Sequence, residues 1–248
     1  ACRAAAEGRR VVATYRGGNK PENPASLGGD IAWAQCDLTD AADVDRLAAE
    51  HAIDSCIHLA AVSNEAFARP QPLAAVQANI GATANLLDNA RRRGWQRFVL
   101  VGTGSVFQNA DAVTPILEDV QPSPAGIYAT TKHCAELLTG MYRSQFGLSA
   151  ATVRISWVYG PPVATDSLTR GPIPAFLRAA LAGVPRRDSG GADFAASFTY
   201  VADAADGLIA AANAKRLNHD VYHLGSGVNY TAGQVASAVC RAVPGAVI

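Results

Sequence analysis

Short apolar stretches alternate with amphipathic stretches along most of this sequence. Apolar runs bounded by polar residues predict buried strands, and they occupy residues 10–15, 31–36, 56–61, 97–102, 151–157 and 221–224. Apolar residues recur at the spacing typical of helices in residues 1–7, 40–51, 72–93, 127–146, 173–182, 203–214 and 231–242. Asp40 is a suitable N-cap for the second helix, while Gly8 and Gly94 are suitable helix stops.

The alternation of strand and helix predicts the fold class. Strands that are apolar throughout and separated by helices favour an α/β fold, in which helices cover both faces of a parallel sheet. Such crossovers are nearly always right-handed, which predicts a doubly wound sheet. We assign residues 1–160 to this core. The chain becomes rich in Gly, Pro, Ala and Arg between Gly160 and Phe198. Residues 161–248 are therefore interpreted as a small C-terminal lobe over the carboxyl edge of the sheet, not as an independent domain.

Composition excludes several classes of protein. Apolar residues make up 49% and charged residues 17% of the 248 positions, which excludes a disordered or fibrous chain. The 21 basic residues balance the 21 acidic ones, so the sequence carries no electrostatic signature of nucleic-acid binding. We interpret the run Arg91-Arg92-Arg93 as a solvated patch at a helix end. We therefore expect a small-molecule ligand and no nucleic-acid partner, and leave open whether the protein is a homodimer.

The cysteines and the apolar runs bear on location. The five cysteines are scattered, odd in number and never paired as CxxC, which argues against a zinc site or a disulfide framework. No apolar run approaches the ~20 residues needed to cross a bilayer, and we recognise no signal peptide. The sequence therefore predicts a cytoplasmic protein with reduced thiols, no membrane partner and no metal.

The strongest local candidate for chemistry is the pair Tyr128 and Lys132. On a helix, residues four positions apart share one face, so the phenol and the ammonium project together. A free tyrosine has a pKa near 10, and a nearby cation would lower that pKa by about 1–3 units, towards the range useful for acid–base catalysis. The alternative is an ordinary surface pair on an amphipathic helix.

A hydroxyl-bearing segment precedes that helix. Thr103 and Ser105 follow the strand at residues 97–102, and ligands of doubly wound sheets bind at the carboxyl ends of strands. A hydroxyl there can bond a substrate oxygen while the tyrosine moves the proton. Taken alone, such a residue is an ordinary turn residue. Together with Tyr128 and Lys132, it completes a hydroxyl–phenol–amine set.

Residues 10–225 resemble the extended short-chain dehydrogenase/reductases, the NAD-dependent epimerase/dehydratase family that acts mainly on nucleotide sugars. The resemblance is carried by short segments in the family's order and spacing, at residues 36–38, 57–61, 79–87, 103–107, 128–132, 153–161, 198–203 and 222–227. It implies a Rossmann-like fold, an NAD(P) cofactor and a C-terminal lobe that is mainly substrate-binding. Residues 154–159 with Val106 and Phe107 look most like the dTDP-4-dehydrorhamnose reductases of this family.

The resemblance also implies roles for individual residues. Asp37 and Leu38 would flank the adenine, and Asn79 would order the site from its helix. The implied catalytic residues are Thr103, Tyr128 and Lys132. The implied cofactor-binding residues are Tyr15, Arg16, Asp37, Leu38, Leu59, Ala60, Ala61, Val62, Ser63, Asn79, Tyr128, Lys132 and Ser156. The implied substrate-binding residues are Thr103, Gly104, Ser105, Tyr128 and Trp157.

Several positions depart from the family pattern. Tyr15 and Arg16 stand where the family often has an Asp that binds the adenosine ribose. Because arginine can bind a 2′-phosphate, this change favours NADP over NAD, although Arg16 could equally be a solvated loop residue. The dehydratases carry Asp-Glu directly after the position of Thr103, so a 4,6-dehydratase is not expected here. Ala196 and Trp157 replace a diphosphate-binding Arg and a substrate-contacting Asn, which puts an ordinary UDP-sugar in doubt.

These features leave two functions open. The first is NAD(P)-dependent hydride transfer at a carbinol or ketone carbon of a nucleotide sugar or sugar-like substrate, as an epimerase or a reductase. The second is a non-catalytic NADP-binding sensor or assembly factor on the same fold, which would have no need for the Tyr128–Lys132 pair.

One expected segment is missing from the sequence. The family's first strand and Gly-rich phosphate turn should precede residue 1, and no GxxGxxG or GxGxxG is present. That strand would lie between the strands at Val11 and Cys56, in the centre of the sheet. We therefore expect the sequence to lack roughly 20–25 residues at its N-terminus, and we expect that residues are also missing beyond Ile248.

Overall fold

The computed structural model describes residues 1–18, 31–109, 115–161, 171–188 and 191–248. Its strands are β1 Val11–Tyr15, β2 Ile31–Gln35, β3 Ser55–His58, β4 Arg97–Thr103, β5 Ala150–Ile155, β6 Val158–Tyr159, β7 Ala195–Ala196, β8 Thr199–Tyr200, β9 Val221–Leu224 and β10 Tyr230–Thr231. Its helices are α1 Cys2–Ala6, α2 Ala41–Glu50, α3 Glu65–Ala68, α4 Pro72–Val76, α5 Ala82–Arg93, α6 Gly126–Phe146, α7 Pro172–Leu181, α8 Val201–Asn213 and α9 Ala232–Ala242.

Parallel pairing dominates the strands, as predicted. β3, β4, β5 and β9 form a four-stranded sheet in that order, and every pair in it is parallel. β1 and β2 form a separate parallel pair, so β1 and β3 are not hydrogen-bonded to each other. The α/β fold with a parallel sheet is therefore confirmed. The expectation about residues before Ala1 stays a prediction.

Helices bury the sheet because their apolar stripes face it. The largest cluster of buried apolar side chains joins α2 and α5 to the strand faces, with Val44, Leu87 and Phe98 fully buried. A second cluster places Leu208 of α8 against Val99 of β4. Asp40 caps α2 by accepting the Ala42 N–H at 2.8 Å, as the sequence predicted.

Several predicted boundaries need correction. β3 ends at His58 and β5 ends at Ile155, so the predicted strands 56–61 and 151–157 were too long. Apolar composition alone could not mark where the chain leaves the sheet. The predicted helix 72–93 contains a π-helical turn at Gln77–Gly81 between α4 and α5. The two-residue strands and α3 were missed because they are too short to show a period.

The predicted division of the chain at residue 160, into a sheet core and a C-terminal lobe, stays a prediction. β9 pairs with β5, and α8 packs on β3, β4 and β5, so both elements belong to the sheet layer although they follow residue 160. A smaller apolar cluster is built by α7, α9 and the β7 strand. Residues 162–170 and 189–190 of the Gly- and Pro-rich stretch lie outside the described residues.

Polar contacts at the surface link the end of α5 to α2. The Arg91–Arg93 run is not simply a solvated patch, since Arg92 pairs with Asp45 of α2 and Arg93 donates to the Ala48 carbonyl at 3.1 Å. These contacts tie the end of α5 to α2.

Within the described part of the chain, no helix is long and apolar enough to cross a membrane.

Candidate active site

The predicted site residues that carry hydroxyl groups lie at the carboxyl edge of the main sheet. Thr103 is the last residue of β4 and pairs in register with Ile155 of β5. Ser156 follows β5, and a Cβ built on Gly104 would lie 3.9 Å from the Ser156 Oγ. The parallel register therefore brings Thr103, Gly104 and Ser156 to one edge, as the sequence predicted.

Thr103 is held rigidly at this edge. Its side chain is buried, and its Oγ1 accepts the Ser105 N–H at 3.2 Å at the start of a 3₁₀ turn, Gly104–Phe107. The Thr103 hydroxyl also lies 3.3 Å from the Ser105 Oγ. These contacts hold the Thr103 side-chain oxygen in place at the sheet edge.

Tyr128 lies in the first turn of α6, with its phenol near enough to Thr103 for that side chain to affect its pKa. Burial raises the pKa of the Tyr128 phenol above 10, and the Thr103 side chain partly opposes that rise. The prediction that Lys132 lowers this pKa is therefore wrong for the structure described. Desolvation dominates, so the phenol is protonated at neutral pH.

Lys132 lies one helical turn beyond Tyr128 and is 4% exposed. Burial lowers the pKa of its ammonium from 10.5 to about 8, while the charge of Glu136, a further turn along α6, opposes the change. The ammonium remains mostly charged at pH 7. Lys132 is thus a buried cation one turn from the phenol, although the shift it was expected to cause is absent.

His58, at the end of β3, is a buried neutral group. Burial, with a smaller contribution from the charge of Lys132, lowers the pKa of its imidazole to about 3. Its Nε2 lies 3.1 Å from the Thr83 Oγ1, and the Thr83 hydroxyl donates to the Asn79 carbonyl at 2.7 Å. The Thr83 hydroxyl has a single proton, which it donates to Asn79. The hydrogen bond between Thr83 and His58 must therefore use the imidazole proton, so we place that proton on His58 Nε2, which donates to the Thr83 oxygen.

Asn79 connects three elements around the site. Its Oδ1 accepts the Val62 N–H at 2.7 Å, and its Nδ2 donates to the Val62 carbonyl at 3.3 Å and to the Thr131 Oγ1 at 2.9 Å. Asn79 lies in the π-helical turn, a feature often found at functional sites. Asn79 therefore holds the loop after β3 against α6, while its role in ordering the site stays a prediction.

The predicted cofactor residues after β3 form an exposed loop. Leu59 is 59% exposed, and Ala60 and Ser63 are exposed as well. Ala61 and Val62 are partly buried, and Val62 is the residue clamped by Asn79. An exposed loop at the carboxyl end of a parallel strand is available to a ligand.

The remaining predicted cofactor residues lie where β1 and β2 end. The Cys36 N–H donates to the Tyr15 carbonyl at 3.0 Å, which joins the two strand ends. Hydrogen bonds from Thr39 lower the pKa of Asp37, and the charge of nearby Arg16 lowers it further. Arg16 is exposed. Arg16, which was expected to bind the 2′-phosphate of NADP, therefore lies near the Asp37 carboxylate, which would repel that phosphate.

Trp157 has an unusual backbone. Its φ is +34°, the one positive value outside glycine among the described residues. The indole is 40% exposed and makes edge-on contacts with Phe194 and Phe198, with ring centroids 5.1 and 6.3 Å apart. Strain of this kind in a bulky residue is typical of functional sites. The predicted substrate residue Trp157 thus forms part of an aromatic cluster in which Trp157 and Phe194 are exposed and Phe198 is buried.

Sequence reasoning missed the acidic residues of the site. Glu65 of α3 accepts hydrogen bonds from the start of α6, and Glu136 forms a buried ion pair with Arg154. An asparagine N-cap before Glu65 was the available signal for α3. Glu136 lies four residues after Lys132 on the same helix face, which was the available signal for their interaction.

The donor set fits a nicotinamide dinucleotide. Lys132 and Ser156 offer donors for ribose hydroxyls and the carboxamide, and Asp37, which follows β2, offers an acceptor. A metal centre has no comparable support, since no group of three or more His, Cys, Asp or Glu side chains in the described ranges could hold an ion.

The chain matches the model of the NAD dependent epimerase/dehydratase family over residues 1–225. The chain belongs to this family. A UDP-glucuronate 4-epimerase of Thermodesulfobacterium geofontis is 33% identical over 197 residues, which cover 79% of this chain and 58% of that protein. Another family member, a dTDP-glucose 4,6-dehydratase of Xanthomonas campestris, is 28% identical over 227 residues, with 87% and 63% covered. The chain thus spans about three fifths of the length of these relatives.

Solved structures of the family share the fold. UDP-glucose 4-epimerase of Thermotoga maritima with UDP-glucose superposes with a TM-score of 0.83 at 21% identity, covering 96% of this chain and 76% of that one. MoeE5 in complex with UDP-glucose and NAD gives 0.80 at 26% identity, covering 99% and 78%. The cofactor named for MoeE5 is NAD, so the comparisons do not support the predicted preference for NADP.

Proposed function

We propose that this chain catalyses NAD(P)-dependent hydride transfer at a carbinol or ketone carbon of a nucleotide sugar or a sugar-like substrate. The observation that carries the proposal is the placement of Thr103 at the end of β4 and of Tyr128 in the first turn of α6, where Thr103 affects the phenol and Lys132 is buried one turn away. These three groups lie at the sheet edge where ligands of this fold bind. Family membership and the nucleotide-sugar relatives support the same substrate class.

The chain's own groups would bind the reacting oxygen and move its proton. A bound nicotinamide supplies the acceptor or donor of the hydride. Thr103 donates a hydrogen bond to the substrate oxygen, and Tyr128 donates its proton to that oxygen as a ketone is reduced. In the opposite direction the ionised Tyr128 takes the proton from the hydroxyl. The raised pKa of Tyr128 suits the reducing direction, because the phenol starts protonated.

Two side chains at the ends of β1 and β2 favour different nicotinamide cofactors. Arg16 supports NADP, as predicted from the sequence, since a guanidinium binds phosphate well. Asp37 beside it supports NAD, and NAD is the cofactor named for MoeE5. We therefore propose a nicotinamide dinucleotide and let the affinities for NADH and NADPH decide between the two.

The reaction proposed is epimerisation or net reduction, not 4,6-dehydration. Elimination of water needs acid and base groups beside the reacting carbon, and Gly104 and Ser105 follow Thr103 where the dehydratases carry two acids. The dehydratase among the relatives makes this a point for experiment. Ala196 is buried in β7 opposite Tyr230 of β10, so no cation there can bind a diphosphate. A sugar-like substrate that carries no nucleotide diphosphate, such as a free sugar acid, is a second substrate class to test.

The test begins with cofactor binding. NADH and NADPH are titrated separately into the protein, and the change in nicotinamide fluorescence gives each affinity. A panel of UDP- and dTDP-sugars and of free sugar acids is then assayed for epimerised or reduced product. Turnover of any of these supports the proposal, while formation of a 4-keto-6-deoxy product contradicts the exclusion of dehydration. Cofactor binding without turnover of any substrate would favour the non-catalytic sensor.

Sedimentation of the same sample tests whether the protein is a homodimer.

A further inference from the structure

The start of α6 lacks a local cap. α6 runs for 21 residues from Gly126, and its N-cap residue Ala125 has no side chain that could accept a hydrogen bond from the first turn. The first four N–H groups of any helix have no partner within the helix. Because Tyr128 is the third residue of α6, the partners of these N–H groups fix the turn that carries the candidate catalytic phenol.

Glu65 supplies the missing partner from another helix. Its Oε2 accepts the Tyr128 N–H at 2.9 Å, and its Oε1 accepts the Ile127 N–H at 3.3 Å. Gly126 makes room for this contact, because a Cβ there would lie 2.6 Å from the Glu65 Oε2. The φ of Gly126 is +80°, which also favours glycine. Helix α6 therefore begins against a carboxylate, the charge that a helix N-terminus favours.

The segment that carries Glu65 is itself held in place. Asn64 caps α3 by accepting the Phe67 N–H at 3.1 Å. Three residues before Glu65, the backbone of Val62 is clamped on both its N–H and its carbonyl by Asn79. Asn79 also donates to Thr131 of α6, so the Glu65 segment and the Tyr128 helix are joined at two points.

We propose that Glu65 is a positioning residue, which caps α6 from α3 and thereby holds the Tyr128 phenol beside Thr103. Its consequence for turnover rests on the proposed function. The carboxylate is bonded to backbone N–H groups and not to the phenol. Burial and the Thr103 side chain account for the behaviour of the Tyr128 phenol, and Glu65 is not among the groups that shift it. Glu65 therefore acts on the position of Tyr128 and not through its charge on the phenol.

The test measures the Tyr128–Thr103 contact directly. Protein labelled with ¹³Cζ-tyrosine is prepared as wild type, Glu65→Ala, Glu65→Gln, Thr103→Val and Glu65→Ala/Thr103→Val, and Tyr128→Phe assigns the Tyr128 resonance. We expect Glu65→Ala to move this resonance in the same direction as Thr103→Val. The double variant should add nothing, because both changes remove one contact. Glu65→Gln keeps one acceptor oxygen and should give a smaller shift, and it serves as the test if Glu65→Ala fails to fold.

A second capping residue provides the control. Thr231 caps α9 by accepting the Gln234 N–H at 3.1 Å. Thr231→Ala should lower the melting temperature, as Glu65→Ala should, without moving the Tyr128 resonance. A fall in melting temperature for Glu65→Ala with an unmoved Tyr128 resonance would overturn the proposal. Additive shifts in the double variant would also overturn it.

Activity gives a separate readout. With any substrate that turns over, Glu65→Ala should lower kcat by about 10- to 100-fold, with the KM for substrate within about twofold of wild type. An equal loss in Thr231→Ala would show that the effect is general destabilisation and would contradict the proposal. If no substrate turns over, the proposed function fails, while the resonance of Tyr128 still decides the role of Glu65.

Discussion

Glu136 and Arg154 form an ion pair inside the protein, with 2.9 Å between the Glu136 Oε2 and the Arg154 Nη2 and side chains only 4% and 5% exposed. Arg154 also stacks on Phe107, with 5.0 Å from the guanidinium carbon to the ring centroid. Gly102 leaves space for the pair, since a Cβ there would lie 2.7 Å from the Glu136 Oε1. The pair joins α6 to β5 directly behind Thr103 and Lys132.

Breaking this pair should destabilise the protein strongly. Arg154→Met leaves the Glu136 carboxylate buried without its partner, and we expect the free energy of unfolding to fall by about 3–5 kcal/mol. Glu136→Gln/Arg154→Met should lose less, because no unpaired carboxylate is left in the interior. Urea unfolding at pH 7 measures both values. Arg3, which pairs with Asp206 at 2.6 Å on the surface, provides the control, and Arg3→Ala should have little effect.

The Glu136–Arg154 pair also shows how far the sequence could predict the site. Periodicity correctly placed α2, α6 and β9, and the order of short motifs placed Thr103 and Tyr128 at one edge. Contacts between distant segments, such as Glu65 with Tyr128, leave no periodic signal. The pKa of Tyr128 was predicted in the wrong direction because the sequence shows a neighbouring cation but not the depth of burial, which dominates.

The buried ammonium of Lys132 should make stability depend on pH. Its pKa is lowered to about 8 in the folded protein against 10.5 in the unfolded chain, so the unfolded chain binds more protons between these values. Stability therefore rises with pH from about 8 to 10.5 through this group, and the folded state carries the full penalty below pH 8. We expect Lys132→Met to stabilise the protein at pH 7 by about 1–3 kcal/mol.

Denaturant unfolding at pH 7.0, 8.5 and 10 measures this difference between Lys132→Met and wild type. The advantage of the variant should shrink as the pH rises. Lys215, which is exposed, provides a matched control, and Lys215→Met should show no such trend. A constant difference between Lys132→Met and wild type at all three pH values would show that the ammonium is not penalised in the folded state.

Arg16 should decide between the two nicotinamide cofactors. Removing its charge should weaken NADPH by about tenfold or more and leave NADH within about twofold, if Arg16 binds the 2′-phosphate. Asp37→Asn should have the opposite effect and improve NADPH, since the neighbouring carboxylate repels that phosphate. Fluorescence titration measures both affinities, with Arg69→Ala as an exposed control. Equal losses of NADH and NADPH in Arg16→Ala would contradict a role in reading the phosphate.

The phenol of Tyr128 should carry the proton transfer. Tyr128→Phe keeps the ring that packs at the start of α6 and removes only the hydroxyl beside Thr103, so cofactor affinity should stay within about twofold of wild type. Turnover should fall by at least about 100-fold, the contribution expected of a positioned acid or base. Lys132→Ala should impair both turnover and cofactor affinity, because its ammonium is proposed to contact the cofactor. Steady-state kinetics and cofactor titration of both variants separate these effects.

If Tyr128→Phe retains more than about a tenth of wild-type turnover, the proton must come from another group. Ser105, whose Oγ lies 3.3 Å from the Thr103 hydroxyl, would then be the next residue to replace.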